Sequence, residues 1–485
     1  MFTFKNTFFD LPSDFYENVK PTPVSNPKII KLNKKLYENL DLDDQISNDL
    51  LTKVFSGNLV LDSTQPISLK YAGHQFGNFI NQLGDGRAIL LGEIVNKSNE
   101  RFDIQLKGSG LTPFSRQGDG RSALGPVIRE YVVSEAMFHL GIPTTRALCA
   151  VETGEKVMRE SIQPGGILTR VARSHIRVGS FEYFASREDW KNVELLLNYS
   201  IDRHYPEIKE SDEKALEFLR SVASRQSDLM ADWMGVGFIH GVMNTDNFTI
   251  SGETLDYGPC AFMDEYDPAT VYSSIDHGGR YAFGNQPSIA AWNLASLAGC
   301  LISFIDNDSK KANELATKVL DDFSINTNQE ILNVMCQKIG LDGNSDQHQT
   351  ILKSLLKIMI PNQADYILSF RYLGQTLLDK DSLFLDQFKE KEKIKEWLSN
   401  WKLTVKELDL DAEELVKKMD SINPIYIPRN HNVDKAIKAA YEENLEPMNE
   451  LLEALKNPFK ENKKYSHLTV PPKEEEKILQ TFCGT

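Results

Sequence analysis

At 485 residues, with 41% hydrophobic and 25% charged side chains, the chain has the composition of a folded globular protein with a sizeable core, which excludes disorder as the default. A net charge of −15 repels polyanions and excludes a general nucleic-acid binder. Its five cysteines are scattered, with no CxxC pair, which excludes a disulfide framework and a structural zinc site and fits a reducing compartment.

Residues 1–60 read as an N-terminal arm packing on the core. They begin without the apolar core of a signal peptide or an Arg-rich transit helix, so the expected location is cytoplasmic. The arm joins a Pro-rich extended piece (Lys20–Pro27) to a helical pattern through Leu32, Leu36 and Leu40. Residues 61–187 read as a strand-rich lobe. Ile80–Leu83 and Ala88–Leu91 predict strands flanking Gly84-Asp-Gly86-Arg87, where glycine permits positive φ in a tight connection. Phe102, Ile104 and Leu106 alternate with Asp103, Gln105 and Lys107, which predicts a strand with one buried face and Lys107 on the other. After Gly108-Ser-Gly110 comes a second Gly-rich loop, Arg116–Arg121. A helix then begins near Pro126, with Val127, Tyr131, Val132, Ala136 and Leu140 as its apolar stripe and Glu130 in its first turns; Gly141-Ile-Pro143 stops it. The spacing of Arg170, Arg173 and Arg177 fits a helical face and a strand with a loop equally well.

From about residue 188 to 430 helical periodicity dominates. Leu216, Leu219, Val222 and Leu229 mark an amphipathic helix over 213–233, ended by Gly235 and Gly237. The stretch 289–305 is apolar on most sides, as in a helix at the middle of a domain. Asn293 and Ser296 interrupt it and it is short for a bilayer, so no membrane partner is expected. Residues 431–485 read as a helical extension with a Lys/Glu-rich, mobile tail around Pro471-Pro472. A strand-rich front and a helical body make an α+β, bilobal layout with a nucleotide between the lobes.

The chemistry gathers at the start of the helical body. His240-Gly-Val-Met-Asn-Thr-Asp246-Asn247 precedes a short apolar run, then Asp256-Tyr-Gly. Protein kinases use the same order: a His-led loop, an Asn metal ligand, then Asp-aromatic-Gly. Their catalytic Asp stands two residues after the His, a slot held here by Val242, and the carboxylate sits at Asp246 instead. Asp246 suits acceptance of a hydroxyl proton, and Asn247 and Asp256 offer hard oxygens to Mg²⁺ or Mn²⁺. Lys107 is placed to meet phosphates with Glu130 as its ion-pair partner. The two Gly-Asp-Gly-Arg loops bring backbone N–H groups to an anion, and Arg170 and Arg177 add charge. Each feature has a plainer reading: an edge-strand lysine, ordinary Asp-Gly turns, surface salt bridges, a structural histidine at His240. Their ordered combination favours the functional one. No Gly-x4-Gly-Lys-Ser/Thr loop, His-Glu-x-x-His or Gly-x-Ser-x-Gly elbow is present.

Longer strings carry a family resemblance. Tyr71–Gly77, Leu83–Arg87, Gln105–Gly110, Arg116–Gly125, His240–Asn247, Leu255–Pro259, Arg280–Pro287 and the Phe15–Pro23 arm resemble the selenoprotein O (YdiU) family over most of the chain. The resemblance implies a protein-kinase-like fold that binds ATP in a flipped orientation and transfers AMP to Ser, Thr or Tyr hydroxyls of proteins. Transfer of UMP from UTP, with manganese, is also implied for bacterial members. On that resemblance Gly84, Gly86, Arg87, Lys107, Asp119, Gly120, Arg170, Arg177 and Asp256 contact the nucleotide. Glu130 pairs with Lys107, Asp246 accepts the proton, and Asn247 and Asp256 bind the metal. Some members pair a C-terminal Cys with a Cys in the loop after Asp-Tyr-Gly. Here Cys483 fills the first slot but Tyr272 stands in the second, with Cys260 nearby but unmatched, which argues against a redox disulfide. The remaining readings are a catalytically silent ATP-binding scaffold and a phosphate-transferring kinase.

Overall fold

Most strands of the first 172 residues join one antiparallel sheet, and its register decides where the charged side chains end up. The computed structural model describes residues 3–43 and 45–482. Its strands are β1 (Tyr16–Asn18), β2 (Lys28–Leu32), β3 (Ile67–Leu69), β4 (Gly73–Gln75), β5 (Asn78–Ile80), β6 (Ala88–Val95), β7 (Arg101–Lys107), β8 (Ser122–Ala123), β9 (Arg146–Met158), β10 (Ile162–Ala172), β11 (Phe238–Ile239) and β12 (Ala261–Phe262). The sheet runs β1-β3-β6-β7-β10-β9-β2, with β8 paired onto β10, while β4–β5 and β11–β12 are separate ribbons.

Alternation in β7 reads as one buried and one open face, whereas both are covered. Ile104 and Leu106 join Leu148, Val151 and Ile167 on the outer face. The arm seals that face with Phe4, Leu36, Leu40, Leu51 and Phe55, from loops and from α1 (Lys34–Asn39) and α2 (Asn48–Phe55). Leu32 is not on the helical stripe of Leu36 and Leu40. It ends β2, because Asn33 caps α1 by accepting the Leu36 N–H at 3.2 Å. Ile80–Leu83 is not a strand of the main sheet either: Ile80 ends β5, β3 pairs with β6 through Ile67 and Leu90, and the polar residues Asn81 and Gln82 stay outside on an exposed loop.

On the inner face Gln105 is fully buried and Lys107 only 8% exposed. Helix α3 (Leu124–His139) lies there, packing Val127, Ile128, Tyr131 and Val132 against Ala147, Ala150 and Leu168. Two later helices, Asn430–Tyr441 and Glu446–Leu455, cover α3 from behind. Each aliphatic side chain buried in this way stabilises by about 1.5–3 kcal/mol over exposure.

Beyond Ala172 the chain is mainly helical: α4 (Val178–Ala185), α5 (Trp190–His204), α6 (Lys214–Val236), α7 (Gln286–Ile305) and α8 (Ser309–Lys338) come first. Helix α6 runs through Gly235 and stops at Gly237, which takes φ 72° as a left-handed cap. Helix α7, with the turn before it, is long and apolar enough to cross a bilayer by length and composition. Here it packs against α4, α6 and α8 and buries Ile289, Leu294, Leu297 and Leu301. The strand-rich region and the helical body make the α+β, kinase-like, bilobal arrangement expected from the sequence.

The polar composition of the tail reads as mobile, yet it is docked as far as Thr481. Lys435 pairs with Glu476 at 2.7 Å, and Asn432 donates to the Leu468 carbonyl at 3.2 Å. The Thr481 N–H donates to the Tyr272 carbonyl at 2.8 Å, and the Thr481 carbonyl accepts the Ser274 N–H at 3.1 Å. The Thr481 hydroxyl donates to the Pro259 carbonyl at 2.6 Å. Main-chain pairing of this kind leaves no mark on composition.

Lys338, at the end of α8, is 1% exposed, with Phe370 and Tyr366 rings 4.6 and 5.6 Å from its Nζ. Burial pushes its ammonium from 10.5 down to about 7. Between those values the unfolded chain holds a proton that the folded protein has lost, so stability rises as pH climbs through the window. Lys338→Met is expected to abolish that rise and to stabilise the protein at neutral pH by about 1–4 kcal/mol, measured by urea unfolding at two pH values.

Candidate active site

A cleft of about 740 Å³ opens between the sheet and the helical body. Gly84, Gly86, Arg87, Lys107, Asp119, Gly120, Arg170, Arg177, Asp246, Asn247 and Asp256 all line it. Glu130 stands behind Lys107, within the lobe; Arg173 turns away, its N–H bonded to Glu253 at 2.9 Å. The two Gly-rich loops form one wall. Gly84 has φ 93° and lies against the Phe114 ring, and Gly120 has φ 67° and presses on the Gly110 backbone, so neither position has room for a Cβ. Thr112 donates to the Asp85 carbonyl at 2.7 Å and Ser115 to the Gly86 carbonyl, which clips the loops together. Asp119 is tied by its carboxylate to Arg159 at 2.9 Å.

The sheet register builds the floor. Gln105 of β7 pairs with Arg170 of β10, and Lys107 lies two residues along on the same face. The arginine spacing left open in the sequence resolves as strand, then loop: Arg170 is in β10 and Arg177 precedes α4. Glu130 of α3 accepts from Lys107 at 2.7 Å and pairs with Arg170 through its other oxygen. Asp256 meets Lys107 at 3.2 Å, Arg177 at 3.5 Å and Arg170 closer still. Burial opposes the charge of Asp256, but Arg170, Lys107 and Arg177 outweigh it and hold the carboxyl well below its usual range. Glu130 is likewise lowered against burial, by Arg170 and Lys107. Asp256 itself adopts φ 62°, left-handed for a residue with a Cβ, and the Gly258 N–H bonds back to its carbonyl at 2.8 Å.

Asp246 lies in the single 3₁₀ turn Thr245–Asn247. Its carbonyl accepts Arg177 Nη1 at 2.9 Å, and its carboxylate Oδ1 is buried without a hydrogen-bond partner. Burial pushes the carboxyl up to about 6, against the pull of Arg177. Gly73 packs so closely that a Cβ there would stand 2.5 Å from Oδ1. His240 is scaffolding. Its Nδ1 accepts the Val242 N–H at 3.3 Å and its Nε2 donates to the Leu255 carbonyl at 2.8 Å, with burial holding the ring neutral.

Asn247 uses its amide nitrogen on the Val242 carbonyl at 3.0 Å, which leaves its oxygen for another partner. Among the described residues no cluster of three or more His, Cys, Asp or Glu side chains forms a complete metal cage. Asn247 and Asp256 offer two hard oxygens on the cleft wall, a donor type that suits Mg²⁺ or Mn²⁺. Cys149, Cys260, Cys300 and Cys336 are buried free thiols, and burial pushes Cys260 up to about 12. Cys483 lies outside the described residues.

Several residues at the site escape sequence reasoning. His74 of β4 bonds Glu182 of α4 at 2.6 Å and its N–H donates to the Thr245 hydroxyl at 2.7 Å; Thr245 bonds Glu182 in turn at 2.5 Å. Asn244 accepts from the Phe76 N–H at 3.0 Å and the Tyr281 hydroxyl at 2.5 Å. These contacts clip the β4–β5 ribbon over the Asp246 turn across roughly 170 positions of sequence, beyond any local pattern. Asp85 escapes it as well: its Gly-Asp-Gly-Arg motif is visible, but a turn explains the Asp without a role.

A model of the family described as protein adenylyltransferase SelO matches residues 1–456. A protein nucleotidyltransferase YdiU of Maridesulfovibrio salexigens is 51% identical over 483 residues, covering 99% of this chain and 98% of the relative. Relatives of the same name from Rhodopseudomonas palustris (strain HaA2) and Rhizobium etli are each 49% identical, covering 100% of this chain and 99% and 97% of theirs.

Proposed function

The chain belongs to the SelO family of protein adenylyltransferases, and from that premise we propose that its cleft holds ATP with the α-phosphorus turned toward Asp246, for transfer of AMP to Ser, Thr or Tyr hydroxyls of other proteins. The observation that carries the reading is the convergence of Lys107, Arg170 and Arg177 on Asp256 in the cleft that Asp246 and both Gly-rich loops also line. Those cations are matched in the cleft by Asp256, Glu130 and Asp85, so they offer a triphosphate oriented donors rather than an excess of charge.

Lys107 and Arg170 neutralise phosphate oxygens, with Glu130 fixing the direction of both. The glycine loops lay N–H groups along the phosphates. Arg177 holds the Asp246 turn by its carbonyl while facing Asp256. The acceptor hydroxyl oxygen bonds to the α-phosphorus as the bond to the β-phosphate oxygen breaks and pyrophosphate leaves, and Asp246 takes the hydroxyl proton. Asn247 and Asp256 would hold Mg²⁺ or Mn²⁺, which would supply positive charge against the triphosphate. The position of Asp246 on the cleft wall beside Asn247 supports the role of acceptor. The relatives' name specifies a nucleotidyltransferase without a base, so UTP stands as an alternative donor to ATP.

Intact mass after incubation with ATP and Mg²⁺ tests the reading, on the chain itself and on proteins added to it. An AMP-sized adduct, labelled from α-phosphate ATP and not from γ-phosphate ATP, is expected. A phosphate-sized adduct establishes a kinase instead, and nucleotide-dependent stabilisation without any adduct establishes a silent scaffold.

A further inference from the structure

Asp85 stands between the two glycines of the first Gly-rich loop and is 2% exposed. A turn between glycines needs no buried carboxylate, and burying one costs free energy unless donors surround it. Four do. Oδ1 accepts the Tyr71 hydroxyl at 3.2 Å and faces Arg177 Nη2 at 3.4 Å. Oδ2 accepts the Gln105 amide at 3.1 Å and the Leu69 N–H at 3.3 Å. Its backbone carbonyl takes the hydroxyls of Ser68 at 3.0 Å and Thr112 at 2.7 Å. These partners come from β3 and the residues just after it, β7, the segment leading into the second Gly-rich loop and the segment before α4, so one residue joins four parts of the cleft wall.

Arg177 is the partner that matters for chemistry. Its guanidinium lies 4.4 Å from the Tyr71 ring centroid, donates to the Asp246 carbonyl at 2.9 Å and faces Asp256 at 3.5 Å. The planar fork is rigid, so acceptors at its two ends fix its orientation together: the Asp246 carbonyl at Nη1 and the Asp85 carboxylate at Nη2. Asp256 is partly exposed and shared with Lys107 and Arg170, whereas Asp85 is locked by three other donors. We propose that Asp85 is a positioning residue of the nucleotidyl transfer, aiming Arg177 between the first Gly-rich loop and the Asp246 turn. The inference rests on the function proposed above. It adds that the nucleotide loop and the proton acceptor are set in register through one buried carboxylate–guanidinium contact.

The test is a double-mutant cycle of Asp85→Asn and Arg177→Lys in the full chain, reading kcat and KM for ATP with α-labelled nucleotide, and melting without ligand. Asparagine preserves shape but removes the charge and turns an amide toward donors. D85N is expected to lower kcat/KM for ATP by about 10- to 100-fold, the size of a lost hydrogen bond to a charged group, with KM raised and the fold retained. The double variant is expected to be no worse than R177K alone, within about threefold, because both changes remove one interaction. A folded D85N with unchanged kcat/KM, or effects that multiply, overturns the proposal. If D85N does not fold, Tyr71→Phe removes one of the donors to Asp85 and leaves the ring under Arg177. The same non-additivity with R177K is then required, at a smaller amplitude, and its absence overturns the proposal equally. If the unaltered protein transfers no AMP, the functional reading has failed instead, and the same cycle is scored by the melting shift with ATP and Mg²⁺.

Discussion

Asp246→Asn is expected to reduce AMP transfer by about 100- to 10,000-fold, the range of a lost general base, while nucleotide-induced thermal stabilisation persists. The asparagine keeps the volume between Gly73 and the 3₁₀ turn, and the backbone carbonyl that holds Arg177 is untouched. Proton acceptance is removed, together with the carboxylate's charge. The same change carries a stability signature in the nucleotide-free protein. With its folded value raised to about 6 from 3.8, the carboxyl holds a proton in the folded state that the unfolded chain has released across that window. Stability contributed by Asp246 is therefore present at the acid end and lost as pH rises from about 4 to 6, roughly 3 kcal/mol in all. D246N escapes that loss, so at pH 7 it should melt higher than the unaltered protein and at pH 4 no higher. Radiolabel transfer and melting curves at the two pH values check both halves. Lost transfer with lost nucleotide binding would mean that Asp246 shapes the pocket rather than accepting a proton.

Asp256→Ala should abolish transfer and also weaken the fold. Lys107, Arg170 and Arg177 all face this carboxylate, with Glu130 and Asp85 as the remaining acids of the cluster. Removing it leaves an unmatched positive charge in a setting where Arg170 is only 2% exposed. Breaking a buried pair in this way costs about 3–5 kcal/mol, and the partial exposure of Asp256 places the expected loss at the lower end. Its depressed folded value means that the stabilising contribution is present above the unfolded carboxylate range near 4 and fades only as pH falls below it. The D256A deficit should then be full at pH 7 and shrink in acid, the opposite trend to D246N. Pyrophosphate should restore part of the lost stability by replacing the missing anion. Denaturant unfolding with and without pyrophosphate measures this, and a variant as stable as the parent would contradict the charge cluster.

The side chains legible in the sequence are those whose local spacing carries the geometry. Period-two alternation sets Lys107 on a strand face, and the Val127–Leu140 stripe gives α3 and hence the side of Glu130. Where a spacing suits two periods, as at Arg170, Arg173 and Arg177, pattern alone cannot decide, and sheet pairing settles it. Leu32 falls on a helical spacing although it ends a strand, because Asn33 both closes that strand and caps the helix after it. Burial of the inner face of β7 is invisible because alternation does not say that α3 folds back onto that face, and the two helices behind α3 come from sequence about 300 residues away. Asp85 and the His74–Glu182–Thr245 clip are hidden for a related reason: their partners lie in other walls, and a buried carboxylate in a turn looks like any surface Asp-Gly.

The pairing of Thr481 with Tyr272 and Ser274, and its bond to Pro259 across 222 positions, has a kinetic consequence. Contacts of such separation close late, because the intervening chain must first be ordered. The loop next to Asp256 is thus expected to mature after the helical body has collapsed, and nucleotide capture should lag the recovery of tryptophan fluorescence in refolding experiments. Proteolytic nicking between residues 457 and 480 should remove that lag, since the severed strand no longer returns to the loop, and should speed hydrogen exchange at residues 259–275 while the remainder of the protein stays protected.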